Sequence, residues 1–378
     1  MGLKPNLILN TILALVLFSA DRQLFAQTEL KPLVVESNAN ANPVQAAESV
    51  AKQSSTPAQF ITTDNQFHNI PSAFISLGNR HPTYGIVVEK NIHRLTVFQL
   101  QEDGNYNVIK SYRAITGKQI GDKKYSGDNR TPEGIYFVVG QKRAQELAHR
   151  WGRAAKKYGP RAFVLDYPNI FDRRLHKTGY GIWIHGVADE TRMSTPFDTE
   201  GCVALSNKDV LDISNYISPW ETPVVIVDQM QSATMTDIQT ERGKVLSMLE
   251  TWRSAWEHSD MNTYLGFYSD NFLSLGKSKT QWKNFKKTLA KLRDKSIQVQ
   301  ISEPKVLSFK NQLLVEFLQK YYAKGKMDFG RKFLYLRQEG DEFKIIAEKW
   351  YPIKSNLDLE LAVVSNLSIS NERQAAKN

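Results

Sequence analysis

The chain has 378 residues, of which 41% are hydrophobic and 11% aromatic. This composition excludes an intrinsically disordered chain, and the length is too great for one small core, so we expect two packed domains with flexible ends. The formal net charge of +10 favours polyanionic surroundings.

The first residues have the pattern of an export signal. Lys4 gives a positive start, residues 7–20 are apolar and nearly uncharged, and Ala26 offers a small residue for cleavage. A bilayer-spanning helix needs roughly 20 apolar residues, so we predict a signal peptide over 1–26, with a retained membrane anchor as the alternative. The expected location is the periplasm of a Gram-negative envelope. Anionic wall polymer or a membrane surface is then the expected polyanion, and nucleic acid is not.

Residues 27–79 are predicted to form a flexible linker. They are rich in Asn, Ala, Ser and Gln, contain few large apolar groups and show no periodicity. Such a segment cannot bury enough surface to offset the entropy lost on ordering. Residues 354–378 are expected to form a poorly ordered tail.

A mostly-β domain is predicted over residues 80–229. Alternating strand patterns flank an Asp103-Gly104 turn, and an apolar strand closes the segment at 222–227. Only residues 145–157 and 207–217 have a helical pattern.

The hydrophobic period changes after residue 235. Val245, Leu249 and Trp252 recur at helical spacing, two further helices follow, and a run of strands closes the segment. This order predicts an α+β domain with a curved antiparallel sheet over 236–353. We find no acid/base pair with convincing spacing in it, so we expect a binding or dimer-forming module. Residues 277–295 hold eight basic residues and one acid, and they form either a contact for anionic polymer or a solvated helix face.

The single cysteine of the chain, Cys202, cannot form an internal disulfide. A lone thiol is a buried small hydrophobe, a link to another chain or a chemical group. His185 precedes it by 17 residues, and a nearby imidazole that accepts the proton makes a thiol a strong nucleophile. Each residue is next to a glycine, Gly186 or Gly201. A loop of this kind can offer the backbone N–H groups around Cys202, including Gly201 and Val203, to an oxyanion.

The order of these residues resembles the signature of the L,D-transpeptidase (YkuD-type) catalytic family. That signature is a His-Gly pair, a spacer of about this length, and then Ser/Thr-x-Gly-Cys, here 199–202. An upstream block is similar to the TGK, GDK and RTPEG segments of the family, here at 116–118, 121–123 and 130–134. The resemblance covers about 150 residues in two separate blocks.

The resemblance implies that Cys202 attacks the carbonyl between the third residue of a peptidoglycan stem peptide and its terminal D-alanine. His185 would act as general base and acid, and the Gly186 carbonyl would orient its ring. A second stem peptide then resolves the thioester in an L,D-transpeptidase, which is the activity we expect, whereas water does so in an L,D-carboxypeptidase, which is the alternative. No metal or cofactor is implied. A non-catalytic wall-binding protein with the same fold is the alternative of another class.

One position departs from the family pattern. Ala204 stands two places after the cysteine, where many members have Arg or Asn, so the substrate carboxylate or the acceptor would be held differently. The sequence Cys-Val-Ala-Leu resembles the subgroup of cell-shape L,D-carboxypeptidases that append a nuclear-transport-factor-2-like (NTF2-like) domain. That resemblance predicts an NTF2-like cone over 236–353, which is then the expected binding module or the interface of a homodimer.

Four polar residues are weaker candidates for substrate binding, each with a structural or solvated role as its alternative: Thr199, Arg130, Arg192 and His176. For Tyr125 and Trp183 we expect packing in the core.

Overall fold

The computed structural model describes residues 70–80, 83–292, 297–323 and 326–353. The predicted signal peptide, most of the predicted linker and the predicted tail lie outside these residues. Within the described part, no helix has the length and apolarity needed to cross a membrane.

The first part of the chain forms a mostly-strand domain. Its strands are β1 (Ile70–Pro71), β2 (Phe74–Leu77), β3 (Tyr84–Glu89), β4 (Arg94–Leu100), β5 (Tyr106–Arg113), β6 (Thr116–Gly117), β7 (Gly134–Arg143), β8 (Arg161–Leu165), β9 (Trp183–His185), β10 (Phe197–Thr199), β11 (Val203–Ala204), β12 (Pro223–Val227) and β13 (Ser232–Ala233). Its helices are α1 (Ala144–Trp151), α2 (Ile170–Arg174) and α3 (Asn207–Asp212), with 3₁₀ turns at Gly152–Tyr158, Glu190–Ser194 and Ile213–Tyr216. The two predicted helical segments are therefore each an α-helix followed by a 3₁₀ turn.

The second part is the predicted α+β domain. Its helices are α4 (Met235–Glu257), α5 (Met261–Gly266) and α6 (Lys279–Leu292), and its strands are β14 (Leu273–Ser274), β15 (Lys277–Ser278), β16 (Gln298–Ile301), β17 (Lys305–Phe309), β18 (Gln312–Ala323), β19 (Lys326–Glu339) and β20 (Glu342–Pro352). Strands β17 to β20 pair antiparallel in chain order, and β16 pairs with β18. The predicted fold class, a mostly-β domain followed by an α+β cone, is confirmed.

The central sheet of the first domain is buried on both faces at its middle strands β7, β12 and β3. Its order is β11-β9-β8-β7-β12-β3-β4-β5. Successive side chains of a strand point to opposite faces, and Ile86 and Val88 enter one core whereas Val87 enters another. The second core continues into the C-terminal domain, where Phe137 of β7 meets Phe333 of β19 with ring centroids 5.4 Å apart. The two domains therefore share one hydrophobic core.

The predicted linker is wrong at its end, since residues 70–77 form strands. Strand β1 pairs with β13, and β2 pairs antiparallel with β17 of the C-terminal sheet. Phe74 and Leu77 are completely buried, and Phe74 packs edge-on against Phe98 of β4. The burial of these apolar groups against both domains stabilises a segment that the polar composition of the preceding residues concealed.

A buried ion network also joins the two domains. Glu221, in the loop before β12, accepts hydrogen bonds from Arg80, from Lys305 of β17 and from Arg331 of β19. Glu316 of β18 pairs with the same three bases. The bases hold the pKa of Glu221 well below its usual range against the opposing effect of burial.

The C-terminal core contains an acid/base pair that sequence spacing did not indicate. Glu348 of β20 is buried, accepts a 2.5 Å hydrogen bond from Lys332, and also accepts one from the Tyr268 hydroxyl. Lys286 of the basic helix α6 is buried too, and its Nζ lies 3.9 Å from the ring centroid of Trp256. At this position the basic segment 277–295 is therefore part of the core and not a solvated face.

Candidate active site

The loop that carries Cys202 is held by hydrogen bonds of its own. The Thr199 hydroxyl donates to the Cys202 carbonyl oxygen at 2.7 Å and accepts from the Gly201 N–H at 3.1 Å. Gly201 has φ +126°, and a Cβ there would lie 2.7 Å from the Arg130 carbonyl oxygen. Only glycine fits this conformation and this close approach. Because the Gly201 N–H is engaged by Thr199, it is not a free oxyanion donor.

His185 is the last residue of β9. This strand lies beside β11, which begins directly after Cys202. Strands β9 and β11 are parallel, with Ala204 opposite His185. The Gly186 carbonyl oxygen lies 2.5 Å from Nδ1 of His185. A carbonyl can only accept, so Nδ1 carries the proton and Nε2 has the lone pair that a general base needs. The contact implied by the family resemblance is present.

Gly186 is required for a second reason. A Cβ at this position would lie 2.4 Å from Oδ1 of Asn207. Asn207 is the first residue of α3, and its Oδ1 accepts a 3.0 Å hydrogen bond from the Val187 N–H. The chain after His185 is therefore fixed against α3, and this contact fixes the carbonyl that orients the imidazole.

Burial keeps both reactive groups neutral. It lowers the pKa of His185 to about 4, the Gly186 carbonyl opposing and the charges of Arg192 and Lys157 assisting. It also raises the pKa of Cys202 to about 11, against a backbone hydrogen bond from Trp183 and the charge of Lys157. The thiol itself donates to the Gly181 carbonyl oxygen at 3.4 Å. At neutral pH the pair is a thiol and a neutral imidazole, so deprotonation has to accompany attack.

An aromatic cluster forms one wall of the site. Half-buried Cys202 packs with Trp151, Tyr158 and Trp183. The Tyr158 ring meets Trp183 with centroids 4.8 Å apart and meets His185 edge-on at 5.2 Å. Core packing of Trp183 is confirmed, whereas the same prediction for Tyr125 is wrong because that side chain is 61% exposed.

The upstream motif block forms a second wall. The Asp128 carboxylate accepts from Lys123 Nζ at 2.5 Å and from the Lys124, Tyr125 and Arg130 N–H groups. Burial opposes ionisation, but these donors lower the pKa of Asp128 to about 2. The Thr131 hydroxyl then donates to the Cys202 carbonyl oxygen at 3.4 Å. The loop at 118–131 is thereby tied to the loop of the cysteine.

The weaker substrate-binding candidates differ in their placement. Arg192 is near His185, but its Nε donates to Asp198 at 2.6 Å. Arg130 presents its carbonyl to Gly201, and its buried Nε has no hydrogen-bond partner in the part of the chain that the structure describes. The Thr199 hydroxyl is used inside the loop. His176 is exposed in a left-handed backbone conformation, and no hydrogen bond joins it to the other site residues described.

Lys157 is a residue that sequence reasoning missed. It lies in the 3₁₀ turn Gly152–Tyr158, is exposed, and places Nζ 5.2 Å from the Tyr158 ring centroid. Its charge lowers the pKa of both Cys202 and His185. No motif includes it. Only the packing of this turn beside the cysteine reveals it.

Comparison with known proteins agrees with this architecture. The L,D-transpeptidase catalytic domain (YkuD) matches residues 83–226, and the Cds6 C-terminal NTF2-like domain matches residues 244–349. Bd1075 of Bdellovibrio bacteriovorus is 32% identical, with a TM-score of 0.64 over 76% of this chain and 99% of that chain. The helical cell shape determining protein Pgp2 of Campylobacter jejuni is 28% identical, with a TM-score of 0.58 over 74% of this chain and 96% of that chain. No curated protein matches the sequence significantly.

The chain therefore belongs to the L,D-transpeptidase family, in the form that joins a YkuD catalytic domain to a C-terminal NTF2-like domain. Its first domain is that of a family whose enzymes act on peptidoglycan, and the predicted likeness to cell-shape proteins is confirmed.

Proposed function

We propose that the protein is a cysteine enzyme that removes the terminal D-alanine from stem tetrapeptides of peptidoglycan. The observation that carries the proposal is the orientation of His185. With Nδ1 bound to the Gly186 carbonyl at 2.5 Å, Nε2 is the basic nitrogen, and β9 lies beside the strand that follows Cys202.

The first half-reaction uses both groups. Nε2 of His185 takes the thiol proton while the sulfur attacks the carbonyl carbon of the third residue, forming a tetrahedral oxyanion. Collapse breaks the C–N bond to D-alanine, and the imidazolium returns the proton to the leaving amine. D-alanine departs and the third residue remains as a thioester of Cys202.

For the second half-reaction the site supports hydrolysis better than crosslinking. Ala204 has only a buried methyl group where many family members have a cation or an amide, and Arg192 is engaged by Asp198. A second stem peptide would have few fixed charges to hold its carboxylate. Water, deprotonated by His185, then attacks the thioester and releases a tripeptide. The resemblance of Cys-Val-Ala-Leu to the subgroup of cell-shape L,D-carboxypeptidases supports trimming, and the likeness to a protein named for helical cell shape agrees with that subgroup. Transpeptidation remains the competing outcome.

The test is product analysis with purified disaccharide tetrapeptide. The full chain, its Cys202→Ala variant and its His185→Gln variant are incubated with the substrate, and the products are followed by mass spectrometry. Tripeptide that depends on both residues is expected. Dimers joined through third residues would establish transpeptidation instead, and the absence of any Cys202-dependent product would favour a non-catalytic wall-binding protein.

We further propose that the chain is exported to the periplasm, where its net positive charge favours contact with anionic wall polymer or membrane. Cell fractionation tests this location, and a cytoplasmic protein would contradict it. A homodimer through the C-terminal domain is proposed as well, and light scattering of the purified chain measures its mass.

A further inference from the structure

A cavity lies where the catalytic and C-terminal domains meet, apart from the cysteine loop. Its volume is about 220 Å³, and it is lined by Glu133, Asp172 and Lys177 from the first domain and by Lys310 and Arg337 from the second. The volume is sufficient for a small organic or inorganic ion with its waters.

The acids of this cavity are already paired. Lys177 contacts Asp172 at 3.1 Å and Asp122 at 2.8 Å. Glu133 contacts Lys90 at 2.9 Å and Lys310 at 3.3 Å. None of the three carboxylates lacks a base.

The bases are in excess. Arg337 has no acid within ion-pair distance among the described residues, and its Nη2 is buried without a hydrogen-bond partner there. Burial and the charge of nearby Arg337 lower the pKa of Arg174, which lies outside the lining of the cavity and donates to the carbonyls of Asn271 and Ile346. Lys90, Lys177 and Lys310 pair with the three acids, so Arg337 is the fourth base against three acids and leaves a net of one positive charge.

An unpaired cation facing a cavity is unfavourable unless a counter-charge satisfies it. A guanidinium has a planar fork of donors that matches an oxyanion, which is the geometry of bidentate carboxylate and phosphate recognition. The net positive charge of the cavity would repel a cationic ligand.

We propose that the cavity between the domains binds a small oxyanion through Arg337, with Lys310 contributing its charge. The ligand class is a carboxylate or a phosphate that fits within the cavity. Because Lys310 is 65% exposed whereas Glu133, Asp172 and Lys177 are buried, we place the entrance on the side of Lys310. The proposal does not depend on the reaction at Cys202.

The experiment uses the full chain and two probes, sodium acetate for a carboxylate and sodium phosphate for a phosphate, each titrated by calorimetry against sodium chloride of equal ionic strength. Saturable binding of one equivalent per chain is expected for at least one probe. The probe that binds identifies the source of the oxyanion. Binding should raise the melting temperature with concentration, as linkage requires.

Arg337→Gln should weaken binding roughly tenfold or more, the effect of losing a charge-assisted hydrogen bond. The exposed Arg242→Gln, which breaks a surface pair with Glu303, should leave affinity unchanged. Lys310→Gln keeps the buried groups intact and should weaken binding less than Arg337→Gln does. It is the variant to use if Arg337→Gln does not fold. No saturable binding by either probe, or equal affinity in the wild type and in both cavity variants, would overturn the proposal.

Discussion

Lys305 of the C-terminal sheet donates a 2.5 Å hydrogen bond to Glu221, which precedes the last strand of the catalytic sheet. Lys305 is completely buried. The pair therefore crosses between the two domains in a place that is largely shielded from water. Arg80 and Arg331 converge on the same carboxylate.

Glu221→Gln should destabilise the protein by about 3 kcal/mol, because three partly or fully buried bases would share only Glu316. Glu241→Gln, at an exposed pair with Lys244, is the matched control and should cost less than about 1 kcal/mol. Urea unfolding monitored by tryptophan fluorescence measures both. Equal free energies of unfolding for the two variants would contradict the role of Glu221.

The same carboxylate should contribute to acid sensitivity. Its pKa is lower in the folded chain than in the unfolded chain. Its stabilisation is therefore fully present above the unfolded value of about 4.3 and is lost as pH falls toward the folded value. Between about pH 5 and about pH 3, the melting temperature of Glu221→Gln should fall less than that of the wild type. Parallel acid limbs in calorimetry would refute this assignment.

Removal of residues 236–378 should leave a chain without a cooperative melting transition. The sequence predicted two packed domains, but Phe137 and Phe171 of the first are almost completely buried and pack against Phe333 and Tyr335 of the second. Truncation would expose both rings and leave β2 without its partner strand. Circular dichroism on heating is the measurement. A sharp transition in the truncated chain would show that the shared core is dispensable.

Alkylation of Cys202 by iodoacetamide should accelerate about tenfold per pH unit and show no plateau below about pH 10, because only the thiolate reacts. Lys157→Gln should slow the reaction, since the charge of Lys157 lowers the pKa. Glu200→Gln should accelerate it, since the charge of Glu200 raises the pKa. Two exposed substitutions with opposite signs distinguish electrostatics from disturbance of the fold. A plateau near pH 8.5 in the wild type would contradict the raised pKa.

Gly201→Ala should abolish turnover and slow alkylation of Cys202. A Cβ would meet the Arg130 carbonyl at 2.7 Å in a backbone conformation that favours glycine. Gly243→Ala, in the exposed face of α4 with open space around it, is the control and should stabilise the chain by about 0.5–1 kcal/mol. Product formation and melting temperature are measured for both. Normal turnover in Gly201→Ala would show that the loop tolerates a different shape.

The sequence was sufficient for features that depend on local order along the chain. Strand alternation and helical spacing predicted both domains, and the sequence singled out His185 and Cys202, which lie on or directly before the neighbouring parallel strands β9 and β11. Alternation cannot say what covers a buried face. Val87 and Val88 are identical apolar residues of β3, although Val87 faces the core shared with the C-terminal domain and Val88 faces the other core.

Predictions failed where the partner is distant in the sequence. Strand β2 is short and follows a long polar stretch, so its burial against β17 had no local signal. Lys157 and Arg337 depend in the same way on what the fold places beside them. Tyr125 was expected in the core because aromatic side chains usually bury, yet its loop is fixed by Asp128 with the ring outside.

The pairing of β2 with β17 has a consequence for how the chain comes to be folded. Ser76 donates to the carbonyl of Pro304, 228 residues away. The whole catalytic domain is thus an insertion between the first strand of the C-terminal sheet and the rest of that sheet. Contacts of such long separation form slowly, since a large loop has to close before they contribute. Strand β2 is synthesised before the catalytic domain and its partner β17 after it, so the two domains complete their folding together.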